Sequence, residues 1–219
     1  MSSLCILGIH ATRGSLTAAL SLEDPRMLRT AFCTLLAAGS VVATPAVAAE
    51  RWQIDTAHTQ VLFTVDHLGF TTLTGQFRVL EGDLFLDPAD WARSSVSVRI
   101  AADSVDMNHE GINRHLKNPD FFDVEQYPSL EFRSTAIETL GDGRLRMHGE
   151  LSMIGQTRPV SLDVTVNKLG PHPMRGTPWA GFRAEGSLKR SDWGMSYGVP
   201  GVGDEIGILI NLEAGGPAE

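Results

Sequence analysis

An all-β chain folded as an antiparallel barrel of about eight strands is what the sequence predicts. Three observations predict it. Beyond Ala49, apolar residues recur at every second position, the period that sends alternate side chains to opposite faces of a strand. Turn-forming Gly, Pro and Asp residues separate these runs at short intervals. The alternation stops only between Ser104 and Pro128.

Taken in order, the chain opens with Met1 to Arg26, which has no period, and continues as Met27-Leu28-Arg29-Thr30, an apolar small-residue stretch from Ala31 to Ala43, and Thr44-Pro45-Ala46-Val47-Ala48-Ala49. This is the charged start, short apolar core and small-residue cleavage pattern of a secretory signal. The apolar run is about a dozen residues, short of the roughly 20 that span a bilayer, so no stable membrane anchor is expected. Residues 1–48 therefore read as an upstream extension plus signal peptide, with translation starting at Met27 and cleavage after Ala48 or Ala49.

Residues 49–213 read as one barrel domain. Its inward sets are Val61-Phe63-Val65-His67, Val96-Val98-Ile100, Leu130-Phe132, Val160-Leu162-Val164-Val166, Phe182-Ala184-Gly186-Leu188 and Ile206-Ile208-Ile210-Leu212. Breaks stand at Asp87-Pro88, Gly141-Asp142-Gly143, Gly170-Pro171, Gly176-Thr177-Pro178 and Pro200-Gly201. A short helical segment is expected near 108–118, capped by Asn108 or Asp106 and ended by Asn118-Pro119-Asp120. Phe121-Phe122 follows, and at least one of these two rings should bury. Residues 214–219 read as a flexible tail.

Composition narrows the function. The chain of 219 residues is 42% hydrophobic and carries 18 basic against 26 acidic side chains, a net charge of −8. Without residues 1–48, which hold three basic and two acidic side chains, the charge is −9. Such a surface does not neutralise phosphates, so no nucleic-acid partner is expected. Cys5 and Cys33 both precede the barrel, which excludes thiol, disulfide and Cys-based zinc chemistry from it.

The histidines His58, His67, His109, His115, His148 and His172 form no pair at metal-ligand spacing, so no metal is expected. No Gly-x-Ser-x-Gly elbow, phosphate-binding loop or dinucleotide fingerprint occurs, and Asp204-Glu205 and Asp120/Asp123/Glu125 read as turn caps, leaving no catalytic residue to name. A filled core and a lined pocket give identical alternation. Pattern leaves that choice open.

Several segments together resemble the YceI-like family of exported polyisoprenoid-binding proteins. They are Trp52-x-Ile54-Asp55-x-x-His58-x-x-Val61-x-Phe63-x-Val65-x-His67-Leu68-Gly69, Gly75-x-Phe77-x-x-Leu80-x-Gly82, Ser104-Val105-Asp106-x-Asn108, His115 through Pro128, Gly149 through Val160, and Lys189-Arg190-Ser191-Asp192-Trp193-Gly194-Met195 with Val202-Gly203-Asp204-Glu205. The chain departs from the pattern at Ile112-Asn113, where an Arg-Asp pair often precedes the His-Leu.

The resemblance implies a lipocalin-like barrel, periplasmic or secreted, that holds a long-chain isoprenoid or similar amphiphile such as a quinone, with no cofactor and no catalytic residues. Val61, Phe63, Val65, Phe77, Val98, Ile100, Phe132, Leu162 and Val164 would line it. Phe70, Leu116, Phe121, Phe122 and Trp193 would stand at its mouth, and His67 would meet a head group. A homodimer is left open. Two rival readings are an enzyme acting on an isoprenoid lipid, for which Asp66 and His67 point to opposite faces, and a stress-response partner protein with a filled barrel.

Overall fold

A computed structural model describes residues 48–217 apart from Val79. The leader, the start at Met27, the signal segment up to Val47, Cys5 and Cys33 lie outside the described residues.

The strands are β1 (Glu50–Ile54), β2 (Gln60–His67), β3 (Thr71–Phe77), β4 (Leu80–Leu86), β5 (Ser95–Ala101), β6 (Val105–Asp106), β7 (Ser129–Gly141), β8 (Arg144–Met153), β9 (Gln156–Pro171), β10 (Pro178–Lys189) and β11 (Val202–Gly215). One helix, α1 (Glu110–Leu116), interrupts them. Every pairing is antiparallel, and β1-β4-β5-β7-β8-β9-β10-β11 closes into a ring of eight through Gln53↔Gly215 and Ile54↔Ala214. Closure leaves that ring without a free edge.

The remaining strands arise because three staves of the wall each break once. β1 and β2 both pair with β11, on either side of a turn at Asp55 whose backbone N–H is held by the Glu213 carbonyl at 2.9 Å. β4 pairs with β1 and β3 with β2. β5 pairs with β4, and after a single 3-10 turn β6 pairs with β3. Each stave shifts its register at its bend, as when Ile54↔Ala214 gives way to Gln60↔Asn211 along β11.

Inside and outside follow the alternation. Val160, Leu162 and Val164 are buried while Ser161, Asp163 and Thr165 between them are exposed. β8 is a strand that alternation disguises: Leu145, Met147, Leu151 and Met153 point one way, but Gly149 occupies the slot between them. A Cβ at Gly149 would lie 2.3 Å from the Phe132 ring, so glycine there makes room for the neighbouring strand's aromatic.

Two expectations need correcting. The cap of α1 is His109, whose Nδ1 accepts the Ile112 N–H at 3.3 Å, and not Asn108 or Asp106. Asp106 is engaged elsewhere, taking the Asn108 N–H at 2.8 Å. The tail does not begin at 214 either. Ala214 is completely buried, Gly215 pairs with Trp179, and the Gly216 N–H donates to the Pro178 carbonyl at 2.8 Å.

Candidate functional site: a hollow apolar barrel

The inward face of the ring encloses a cavity of about 640 Å³. That volume lies within the range of small-molecule sites. Its wall comes from all sides of the barrel: Val61, Phe63 and Val65 of β2, Val98 and Ile100 of β5, Phe132 of β7, Leu162 and Val164 of β9, and Ile208, Ile210 and Leu212 of β11. The few polar groups are hydroxyls, three histidines and one arginine. Among the described residues, no carboxylate lines it.

One end is stoppered. The β4–β5 connection makes a 3-10 turn at Trp91–Arg93, whose indole lies against the cavity and meets Phe182 edge-on with ring centroids 6.2 Å apart. The turn is held by Asp87, which is only 4% exposed. Its carboxylate accepts the Ala89 and Asp90 N–H groups at 3.0 and 3.1 Å and pairs with Arg93, while its own N–H donates to Ser94 Oγ at 2.9 Å.

The other end opens between α1, the segment after it, and the β10–β11 connection. His115, Phe121 and Tyr197 form an edge-to-face trio with centroids 5.0 to 5.5 Å apart. Phe122, next in sequence, turns inward and meets Phe77 at 5.5 Å, which in turn meets Phe63 at 5.7 Å. The adjacent rings thus divide the work, one at the rim and one inside. Tyr197 and Ile112 both line the cavity and remain exposed at 52% and 38%, which marks the opening.

Arg190 fixes the β10–β11 connection from beneath. It is 3% exposed, and its guanidinium donates to the carbonyls of Gly203, Met195, Tyr197 and Val202 at 2.8 to 3.0 Å. Burial pulls its pKa down, and the nearby Asp204 opposes that shift. The Asp204 carboxyl is itself held low, first by the Ser191 hydroxyl at 2.8 Å and then by the Ser191 N–H.

α1 is moored by Asp106. The carboxylate accepts from Asn113 Nδ2 at 2.9 Å, from Arg78 at 2.6 and 2.8 Å, and from the Asn108 N–H, which together hold its pKa at about 2. Asn113 Oδ1 meanwhile accepts the Met107 N–H at 2.7 Å. The Asn113 amide donates to Asp106 and accepts from Met107 at once, which a carboxylate here could not do.

The structure brings thirteen of the fifteen expected residues to the cavity: Val61, Phe63, Val65, His67, Phe77, Val98, Ile100, Leu116, Phe121, Phe122, Phe132, Leu162 and Val164. Phe70 does not line the cavity: it sits at the β2–β3 tip, 87% exposed. Trp193 is a correction, because it is 2% exposed and packed behind the wall, with its indole N–H donating to the Leu151 carbonyl at 3.0 Å. Trp91, Tyr197 and Arg190 were not anticipated; Arg190 stands inside a quoted motif, but nothing in its neighbours' pattern says that it buries. His67 faces the cavity while Asp66 stays outside, exposed, accepting the Gly69 N–H at 2.9 Å, so the two do not cooperate.

Spacing also hides one cluster outside the barrel. Asp55, His58 and Glu213 bring ligand-type atoms within 4.8 Å of one another. His58 Nδ1 lies 2.9 Å from Asp55, which raises the imidazole pKa and lowers that of the carboxyl, and Glu213 accepts the Trp179 indole N–H at 2.8 Å. Each polar group has a protein partner. The cluster pins the β1–β2 turn to the end of β11.

The family model of the YceI-like domain matches residues 52–214. A UPF0312 protein of Vibrio cholerae is 34% identical over 185 residues, covering 82% of this chain and 96% of that protein. Protein YceI of Escherichia coli O157:H7 is 34% identical over 156 residues, covering 71% of this chain and 81% of its own. Among solved structures, BcnA of Burkholderia cenocepacia superposes with a TM-score of 0.67 at 25% identity, covering 74% and 99% of the two chains. A domain from Saccharophagus degradans, described as polyisoprenoid-binding, superposes at 0.55 with 13% identity, covering 77% and 99%, a likeness of fold.

Proposed function

The chain belongs to the YceI-like domain family, and on that footing we propose that it is an exported, non-enzymatic binding protein that keeps a polyisoprenoid or similar long-chain lipid in its barrel for transport, storage or sequestration. One observation carries the reading: the barrel is hollow, and the hollow is apolar along its length. A chain of isoprene units has almost no polar handle and can be held only by removing it from water. Burying about 600 Å² of such a chain gains on the order of 15 kcal/mol, of which about half survives the costs of ordering. That suffices for micromolar capture or tighter.

The description of the Saccharophagus degradans domain favours the same cargo class, and a quinone side chain is one member of it. A filled-core partner protein would have no use for 640 Å³ of empty apolar space. A lipid-modifying enzyme is less well supported, because among the described residues no carboxylate faces the cargo to pair with the wall's three histidines.

Organic extraction of the purified protein followed by mass spectrometry tests the proposal, together with titration of the emptied protein with geranylgeraniol. Recovery of a long-chain lipid and saturable binding are expected. Repeated recovery of none, with no binding of geranylgeraniol, would overturn it. Phe63→Asp should abolish uptake, since it sets an unpaired carboxylate into the apolar wall. Binding equal to that of the parent would show that this face does not hold the cargo.

A further inference from the structure

Phe70, expected at the mouth, is the most exposed aromatic of the described residues at 87%, and it is not alone. Leu68 beside it is 55% exposed, Tyr197 52% and Val199 36%, and all four occupy two tips that touch: the Leu68 N–H donates to the Gly201 carbonyl at 2.8 Å. With Ile112 of α1 they ring the opening. Through Tyr197 and Ile112, which belong to both, the apolar lining continues without interruption from the cavity to the outer surface.

Charge sets these two tips apart from the α1 side of the mouth, where Glu110, Arg114, Lys117 and Asp120 stand. No Asp, Glu, Lys or Arg occurs from His67 to Gln76 or from Gly194 to Gly203, although Asp66, Arg78, Asp192 and Asp204 flank these stretches. The turns at the opposite end all carry charge: Asp87, Asp90 and Arg93 in one, Asp142 in the next, Lys168 and Arg175 in the third. Scattered exposed apolar residues need no explanation, but a contiguous set around the mouth of an apolar cavity marks an interaction surface.

We infer that this rim docks the barrel on a lipid bilayer, mouth down, so that cargo passes between membrane and cavity without crossing water. The inference rests on the cargo reading above, because a chain too apolar to dissolve is available only from a membrane. Phe70 and Leu68 insert below the headgroups, and Tyr197 lies at their level with its hydroxyl in the polar layer. An electrically neutral surface suits two tips that have no charge to offer; an anionic one would repel residues 49–219, whose net charge is −9.

The test is co-flotation of the purified protein with phosphatidylcholine vesicles, and the rate at which it takes geranylgeraniol from them. Leu68→Ser with Phe70→Ser is the variant, since neither side chain lines the cavity or packs in the core. The parent should float, and the variant should lose at least about tenfold in vesicle partition and in transfer rate, while binding geranylgeraniol added without vesicles with the parent's affinity. A parent that never floats, or a variant that floats and transfers like it, overturns docking and leaves the cargo reading intact. A parent that sediments as a dimer, and a variant that does not, overturns it in favour of a second copy on the rim. Flotation lost in the variant without geranylgeraniol binding by either protein supports docking and overturns the cargo reading instead.

Discussion

The two ends of this barrel are built from the same alternating strands and finished by opposite means. At the stoppered end a buried carboxylate gathers two backbone N–H groups and an arginine, and the turn so fixed carries Trp91 against the cavity. At the open end, backbone carbonyls gather around a buried arginine, and the connection so fixed presents uncharged, apolar tips to the outside. A wall of period two says nothing about which end will close. The difference lies in the turns: a charged turn that satisfies itself can fold inward as a plug, whereas a glycine-rich turn without charge is left to face whatever the mouth faces.

Removing the charge at the plug should have the largest effect. Asp87→Ala strands two N–H donors and Arg93 and is expected to cost about 3 kcal/mol, at the low end for a broken buried pair because Arg93 is 38% exposed. For a domain of this size that is a fall of roughly 6–12 °C in Tm, read by circular dichroism. A melt unchanged within a degree would show that the turn does not depend on its carboxylate. Removing the stopper alone should do less to stability and more to retention. Trp91→Ala, at a half-buried position, is expected to cost about 2 kcal/mol and to speed release of bound geranylgeraniol, since the cavity then opens at both ends. Release at the parent rate would mean that the stoppered end does not hinder cargo.

Much of this was legible from residues alone, and the reasons differ by place. The walls were legible because burial on one face imposes strict alternation, so Val61-Phe63-Val65 and Leu162-Val164 declare their side without reference to partners. β8 was not, because its inward slot at Gly149 is filled by Phe132 from the neighbouring strand, and a glycine reads as a break until the facing ring is known. The hollow was not legible from pattern either: lined and filled interiors place the same residues inward, and only the family resemblance favoured the former. Trp193 was misplaced, and Phe70 stands farther out than the cavity wall, for a shared reason. An aromatic near a loop is drawn to the nearest apolar space, but which of two such spaces it occupies is decided by backbone direction at the turn, as at the positive-φ pair Leu68-Gly69 that sends Phe70 outward.

The smallest effect concerns the open end and shows whether its two sides are independent. α1 hangs on Asp106, whose carboxyl titrates at about 2 in the folded protein against 3.8 as its ordinary value, chiefly because Asn113 and then Arg78 hydrogen-bond to it. Between these values the unmoored form binds the proton that the moored form refuses, so acid favours release. The contribution is complete above 3.8, declines as pH falls below it, and is gone once pH falls through about 2. Hydrogen exchange of the 107–117 segment, corrected for intrinsic rates, should therefore quicken from pH 5 to pH 2.5 while β9 and β10 stay protected. Asp106→Asn should exchange faster at pH 5 and lose most of that dependence. If exchange in the 194–203 connection quickens in step with α1, the His115, Phe121 and Tyr197 trio couples both sides of the mouth; if it does not, Arg190 alone holds that side, and acid loosens half the opening while the other half keeps its form. Protection of 107–117 that is the same at both pH values would show that Asp106 is not what moors the helix.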